Sequence, residues 1–406
     1  MTNETTMFQP DVEAMKTWRH AIHQHPELGF EEHDTSALVA EQLRGWGYEV
    51  HTGVAATGVI GVLRIGDGKG RSVGLRADMD ALPIQEMTGL PWASKVAGKM
   101  HGCGHDGHTA MLLGAAQTLA ARARDGQLHG NGTLVLIFQP AEELGGGGGA
   151  RRMIEERLFE RFPCDMIFGM HNFPGIPVGE VHVRPGAFMA SSDKVLIRFV
   201  GLGGHGGLPH VAVDPTPPAA ATVLGLQSIV GRNVNPNLAA VISVGRMAAG
   251  SAYNIIPESA ELELSVRTLD PTVRDLVERR IHELATNQAA AYGCRAEIRY
   301  ERGYPVLINA AEATAFAVDV ARGLFGDDHV QANAQPLTGS EDFAFLLEQV
   351  PGSYVLVGNG DNGHAEGKWA GGCMVHNPHY DFNDACLPVG ARLWVGLAER
   401  FLATAA

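Results

Sequence analysis

Three apolar segments, each followed by residues that bind metal ions or move protons, most constrain the fold of this 406-residue chain. A helical segment separates each predicted strand from the next. The strands are residues 72–77, 133–138 and 165–170, and they lead into Asp78-Met-Asp80, Gln139-Pro-Ala-Glu142-Glu143 and His171-Asn172. In an open α/β sheet, functional groups collect at the carboxyl ends of the strands. The pattern therefore predicts an α/β fold with its site at those ends.

The pattern changes near residue 190. Between residues 193 and 302 it predicts strand, helix, strand, strand, helix and strand, the βαββαβ order of a ferredoxin-like sandwich. From Tyr304 the α/β pattern resumes and ends in a helix over 389–402. We expect a discontinuous catalytic domain with a mixed α/β sheet, formed by residues 1–190 and 304–406, and an inserted domain over residues 191–303.

The overall charge restricts the class of partner. The chain has 31 basic and 45 acidic side chains, a net charge of -14, which disfavours nucleic acid and anionic membranes. The polar start over residues 1–6 lacks the basic region and apolar run of a signal peptide, and no apolar run is long enough to span a bilayer. The five cysteines include no C-x-x-C pair, so no disulfide framework is indicated. We expect a cytoplasmic protein in which Cys103 is available as a thiolate.

The segment from His101 to His108 is the densest group of metal-binding side chains. It holds three histidines, one thiol and one carboxylate, just before a predicted helix over 109–123. A polar loop that only caps this helix would not require interleaved Cys and His. We therefore interpret the segment as half of a metal site.

The other half is expected at the strand ends and in one late loop. Adjacent carboxylates repel when both are buried and ionised, so Glu142 and Glu143 favour one cation ligand and one proton-transfer group, with an exposed acidic turn as the alternative. His171 follows a strand. In the loop over 375–379, either His376 or His379 offers a further imidazole.

Five of these side chains would supply one thiolate, three imidazoles and one carboxylate: Cys103, His105, Glu143, His171 and His376. One catalytic zinc ion usually takes three protein ligands, so five favour two ions about 3.5 to 4 Å apart, bridged by the thiolate. Thiolate and imidazole suit zinc, nickel or cobalt, and the carboxylate also admits manganese. Gly201–Gly206 matches the dinucleotide pattern G-x-G-x-x-G, but a proline-rich loop follows instead of a helix.

Nine motifs, taken in order, resemble those of the dinuclear-metal amidohydrolases that include hippurate hydrolase, N-acyl-amino-acid amidohydrolases and auxin-conjugate hydrolases. This group lies in the aminoacylase and carboxypeptidase G superfamily of metallopeptidases. The motifs are LRADMDALP, MHGCGHDGH, FQPAEE, GMHNFPG, GGHGGLPH, YNIIPE, SVRTLD, GSEDF and VHNPHYDFND. The resemblance implies metal-dependent hydrolysis of N-acyl amino acids, hippurate-like or N-acetyl, with a dipeptidase or carboxypeptidase as the alternative.

The resemblance also implies roles for single residues. Cys103 would bridge two divalent metal ions, and Glu142 would be the general base. The remaining ligands would be His105, Glu143, His171 and His376. Asp80 matches an acid that orients a metal-ligating histidine, and Asp78 stands where relatives carry that histidine, a ligand role taken here by His105.

The inserted domain would, by the same resemblance, be a lid that forms a homodimer. His205 would reach the partner subunit's active site and bind the substrate carboxylate or the oxyanion. Asn254 and Arg267 match positions that bind the carboxylate end of the substrate. From the strand pattern alone, Arg267 would instead pair with Glu263, because both lie on one face of the strand over 261–267.

Overall fold

The chain forms two compact units in a computed structural model that describes residues 10–360 and 373–403. Within those residues, the first unit takes 10–186, 308–335, 345–360 and 373–403, and the second takes Ala187–Leu307 and Pro336–Ala344. The catalytic and lid roles predicted for residues 1–190, 191–303 and 304–406 remain proposals.

Helices and strands alternate through most of the chain. The helices are α1 Val12–Gln24, α2 His33–Gly45, α3 His105–Arg124, α4 Gly149–Glu155, α5 Leu158–Arg161, α6 Thr216–Ser228, α7 Pro271–Ala291, α8 Ala311–Phe325, α9 Phe343–Leu347 and α10 Leu387–Ala403. The strands are β1 Glu49–Val54, β2 Gly58–Ile65, β3 Arg71–Asp78, β4 Gly132–Gln139, β5 Met166–Pro174, β6 Val181–His182, β7 Gly186–Met189, β8 Asp193–Val200, β9 Gly204–His205, β10 Ala240–Ala249, β11 Ile255–Ile256, β12 Ser259–Thr268, β13 Arg295–Arg302, β14 Leu307–Asn309, β15 Val330–Gln331 and β16 Gly352–Gly360.

The first unit contains an eight-stranded sheet in the order β1-β2-β4-β3-β5-β16-β6-β15. Strands β4, β3, β5 and β16 are parallel to one another, whereas β1 and β2 pair antiparallel with their neighbours. The sheet is therefore mixed, and the predicted α/β fold class is confirmed. His171 and Asn172, expected after a strand, lie inside β5, which continues to Pro174.

The centre of this sheet is buried on both faces, as parallel strands require. In β4 every residue except Thr133 is buried. Helices α3 and α10 pack together beside the sheet, and Trp394 of α10 is fully buried in the same core. The strand ends that carry the predicted site residues are thus fixed by a close-packed core.

The second unit contains a four-stranded sheet in the order β10-β12-β8-β13, in which every pair is antiparallel. With α6 and α7 it has the element order β8-α6-β10-β12-α7-β13 that the sequence predicts. Along β12 buried and half-buried residues alternate, because only one face of this sheet is covered. Helix α7 begins where the Asp270 carboxylate accepts the Thr272 and Val273 N–H groups at 2.8 and 3.1 Å.

In the described part of the chain, no helix combines the length and the apolar character needed to cross a lipid bilayer.

Candidate metal centre

The start of α3 positions Cys103 and His105. His105 is the first residue of α3, so the helix begins earlier than the sequence predicts. Gly104, between the two, has a φ of 95°, and a Cβ there would lie 2.3 Å from Asn172 Oδ1. Only glycine fits this position, and it lets the chain turn so that both neighbouring side chains are buried.

The five ligand candidates lie close together in the first unit. Cys103 Sγ is 3.3 Å from His171 Nε2, and His376 Nε2 is 3.0 Å from Glu143 Oε1. Their ligand atoms form two groups, each within 4.8 Å: Cys103 with His105 and His171, and Cys103 with Glu143 and His376. Because Cys103 belongs to both groups, the arrangement suits two ions that share a thiolate.

The buried polar atoms of this cluster fit a divalent metal ion. His105 Nε2 is buried without a hydrogen-bond partner in the described residues. It lies 3.7 Å from Asp78 Oδ2 and 4.0 Å from Glu143 Oε1. Buried polar atoms in proteins are normally paired, so an atom of this kind among carboxylates and a thiol indicates a cation site.

The charges of the cluster also indicate a cation. Burial, followed by Glu143 and Glu142, raises the pKa of the Cys103 thiol well above its usual value. Burial alone would lower the pKa of His105, but Asp78 and Asp80 raise it to about 10. The carboxylates thus outweigh the positive charge that the protein supplies, and a divalent cation would restore the balance and favour the thiolate.

Asp80 links two of the ligand candidates. Its Oδ1 lies 3.2 Å from His105 Nδ1, and its Oδ2 accepts the Glu143 N–H at 2.9 Å. A carboxylate at Nδ1 fixes the imidazole and leaves Nε2 available to a metal ion. Asp80 therefore orients His105 and the backbone of Glu143 together.

Glu142 and Glu143 follow a turn at the end of β4. Ala141 there has φ 53° and ψ 45°, and a short 3₁₀ helix begins at Glu142. Ligand atoms of His105, Glu142 and Glu143 lie within 4.8 Å of one another. The structure thus brings the predicted base beside the predicted metal ligands.

The three predicted substrate-binding residues belong to the second unit. His205 in β9 pairs with Ile255 in β11, and the Gly206 N–H donates to the Asn254 carbonyl at 2.8 Å. His205 and Asn254 are therefore neighbours, and both are exposed.

Arg267 lies apart from them on β12. Its guanidinium donates to Ser340 Oγ at 2.7 Å. The predicted alternative pairing with Glu263 is wrong, because Arg246 of β10 stands opposite Glu263 in the sheet and binds it at 2.8 Å.

Residues 74–400 match the profile of peptidase family M20/M25/M40. The chain belongs to this family. It is 44% identical to hippurate hydrolase of Campylobacter jejuni over 95% of each chain. It is 39% identical to N-acetyl-L-cysteine deacetylase of Bacillus subtilis over 95% of this chain and 87% of that one.

A solved structure supports the same assignment. The YXEP protein of Bacillus subtilis, a dinuclear metal-binding peptidase of the M20 family, has a TM-score of 0.81 to this chain at 34% identity, covering 97% of this chain and 98% of that one. The resemblance inferred from the motifs is confirmed, and with it the prediction of a metal-dependent amidohydrolase.

This M20-family cluster has supporting contacts that sequence reasoning did not find. Asp78 Oδ1 lies 2.6 Å from His108 Nδ1, and Asp78 Oδ2 accepts from the Arg76 guanidinium at 2.7 Å. The Asn172 N–H donates to His108 Nε2 at 3.1 Å. Both nitrogens of His108 are therefore hydrogen-bonded within the protein, which favours a supporting role for this histidine over metal binding. Arg76 could have been found from the sequence, because a charged arginine is unusual inside an apolar strand.

A second network of charged side chains joins α1 to Asp106 of α3 and to the segment around Asp381. His23 Nδ1 is 2.8 Å from Asp106 Oδ2, and the fully buried Arg19 contacts Asp381 at 3.1 Å and Asp384 at 2.7 Å. Sequence reasoning counted Asp106 in the metal-binding segment but missed Arg19 and His23. The signal for both was their position on the buried face of α1, four residues apart.

Proposed function

We propose that this M20-family member hydrolyses the amide bond of N-acyl amino acids, hippurate-like or N-acetyl, with Glu142 as general base. Two divalent metal ions would be held by Cys103, His105, Glu143, His171 and His376. The observation that carries the proposal is the pair of ligand groups that share Cys103 and adjoin Glu142. Similarity to a hippurate hydrolase over 95% of the chain supports the substrate class.

The chemistry divides between the ions and the side chains. Bound at these ligands, divalent ions would lower the pKa of a water molecule and polarise the substrate carbonyl. Glu142 accepts a proton from the attacking water and later donates it to the departing amine. His205 stabilises the oxyanion or binds the substrate carboxylate, and Asn254 and Arg267 bind the carboxylate end.

The donor set leaves the metal open among manganese, zinc, nickel and cobalt. Thiolate and imidazole favour the softer ions, whereas the Glu143 carboxylate also accepts manganese. Metal analysis of the protein purified from cells grown with each metal would decide among them.

The second unit is, in the same proposal, a lid that also joins two copies into a homodimer in the cytoplasm. Strand β10 is at an edge of its sheet, and its Val241 and Met247 side chains are 39% and 49% exposed. An uncovered edge strand with exposed apolar side chains favours pairing with another chain. Light scattering of the purified protein measures the oligomeric state.

A substrate panel tests the reaction. The metal-loaded enzyme is assayed with N-benzoylglycine, N-acetyl-L-cysteine and the dipeptide glycylphenylalanine, with a chelated sample as control. We expect higher kcat/KM for the N-acyl amino acids. Preference for the dipeptide would favour the dipeptidase or carboxypeptidase alternative, and no turnover by enzyme that holds two ions would contradict the proposal.

A further inference from the structure

The turn that directs Glu142 has a backbone conformation that its sequence does not favour. Ala141 is left-handed, with φ 53° and ψ 45°. In this region the Cβ of any L-residue other than glycine is crowded by its own backbone. Since Glu142 and Glu143 follow directly, the direction of both carboxylates depends on whatever holds Ala141 in place.

Two buried carboxylates bind this turn from opposite ends. The Glu32 Oε1 atom accepts the Ala141 N–H at 2.7 Å, and Asp80 Oδ2 accepts the Glu143 N–H at 2.9 Å. Glu32 is itself held by the Thr57 hydroxyl, which donates to its Oε2 at 2.5 Å. The N–H groups of the residues before and after Glu142 are thus both bound by carboxylates.

The segment before α2 packs directly on the turn. A Cβ at Gly29 would lie 3.0 Å from Ala141 Cα and 2.9 Å from the Leu144 side chain. Glycine at this position therefore permits the close approach that brings Glu32 to the Ala141 N–H.

The role of Glu32 is not to cap its own helix. It stands at the N-cap position of α2, yet its side chain makes no capping hydrogen bond there. Glu27 does that instead, since its carboxylate accepts the Asp34 and Thr35 N–H groups, each at 2.9 Å. Glu32 is fully buried, and burying a carboxylate is costly unless it is hydrogen-bonded. The Glu32 carboxylate instead holds the turn at Ala141 by accepting its N–H.

We propose that Glu32 is a positioning residue for Glu142: by accepting the Ala141 N–H it holds the left-handed turn from which Glu142 reaches the metal cluster. Its kinetic consequence rests on the proposed function of Glu142, whereas its structural consequence does not. Glu32 touches neither substrate nor metal in this role, and it acts through the backbone.

Glu32→Ala in the metal-loaded enzyme tests the proposal. We expect kcat to fall about 10²-fold, because a misplacement of about 1 Å at a reacting group has that effect. KM should stay within about threefold and both ions should be retained, because Asp80 still accepts the Glu143 N–H and holds that proposed ligand in place. In the crystal structure of this variant, Ala141 should leave the left-handed region.

Two control variants separate positioning from stability. Glu32→Gln keeps an oxygen acceptor for the Ala141 N–H and should recover most of the lost kcat. This is the matched change because burial raises the pKa of Glu32 to about 7, so that its neutral form already exists near neutral pH. Glu27→Ala removes the α2 cap and should lower the melting temperature without the selective fall in kcat.

The outcomes are distinct. A left-handed Ala141 in the Glu32→Ala structure, or a kcat no lower than that of Glu27→Ala, would overturn the proposal, as would equal losses in Glu32→Gln and Glu32→Ala. If Glu32→Ala does not fold, Thr57→Val decides: it frees the Glu32 carboxylate and should lower kcat by a smaller factor, and an unchanged kcat overturns the proposal. If wild-type enzyme hydrolyses no N-acyl amino acid, the proposed function fails, and the conformation of Ala141 still decides the role of Glu32.

Discussion

The metal cluster of the first unit and the substrate-binding candidates of the second unit are held in different ways. In the first, the charged side chains other than the exposed His376 are buried or half-buried, and they are bound by one another, as in the pair Asp80 and His105 or the pair Asp78 and His108. In the second, His205 and Asn254 are exposed, and Arg267 has the Ser340 hydroxyl as a neutral partner. Catalytic atoms need fixed geometry, whereas groups that bind a mobile substrate need free hydrogen-bonding capacity.

The strongest test of the first region is Glu142→Gln. We expect kcat to fall about 10²- to 10⁴-fold, since the amide cannot take the proton of the attacking water. Both metal ions should remain bound, as measured by plasma mass spectrometry. Glu155→Gln, on the exposed side of α4, is the matched control and should keep full activity. Wild-type turnover by Glu142→Gln would show that another group is the base.

Cys103→Ala tests whether the two ligand groups are joined. Because Cys103 belongs to both groups, we expect the loss of at least one ion per chain. Cys164→Ala removes a thiol that is half-buried elsewhere and should retain both ions. Two ions per chain in Cys103→Ala, measured on dialysed protein, would exclude a bridging thiolate.

His23→Gln measures what the buried charges contribute to stability. Burial alone would lower the pKa of His23, but Asp106 and Glu86 raise it from 6.5 to about 9. A histidine whose pKa is raised by folding stabilises the folded state when it is protonated. For His23 this stabilisation is fully present below pH 6.5 and is lost as the pH rises to about 9. It amounts to at most about 3 to 4 kcal/mol, at about 1.4 kcal/mol per pKa unit.

Urea unfolding at pH 6 and at pH 9 provides the measurement. The wild-type free energy of unfolding should decrease over this interval, and the decrease should be smaller in His23→Gln. An equal decrease in both proteins would show that His23 is not protonated in the fold.

Arg267→Ala tests the second region and should have the smallest effect. If Arg267 binds the substrate carboxylate, KM should rise about tenfold, with kcat changed less, because one charge-assisted hydrogen bond to the substrate is lost. Arg246→Ala, which removes an exposed guanidinium from β10, is the control and should leave KM unchanged. An unchanged KM in Arg267→Ala would assign this arginine to the fold alone.

Much of the fold was predictable because its patterns are local. The apolar run over 133–138 and the alternation along β12 each follow from which faces of a strand are covered. His171 was placed after β5 because a polar pair usually ends a strand. In the structure these residues pair with β16, so the strand continues.

The candidate site was predictable where a residue type that binds metal also stands at a position typical of ligands, as at Cys103 and His105 near the start of a helix. The supporting contacts were not predictable, since they join residues that no local pattern connects. Glu32 accepts an N–H 109 residues away, and the choice of Arg246 over Arg267 as partner of Glu263 depends on strand register. Such partners are determined by the tertiary fold.

The network around Arg19 has a consequence for how the protein matures during synthesis. Arg19 of α1 binds Asp381, 362 residues later, and the loop that carries His376 lies in the same late segment. A nascent chain that still lacks this segment has neither the fifth proposed ligand, His376, nor Asp381 and Asp384, two of the carboxylates that contact Arg19. Contacts so distant in sequence form late in folding. Under the proposed set of ligands, we expect metal loading to follow completion of the chain.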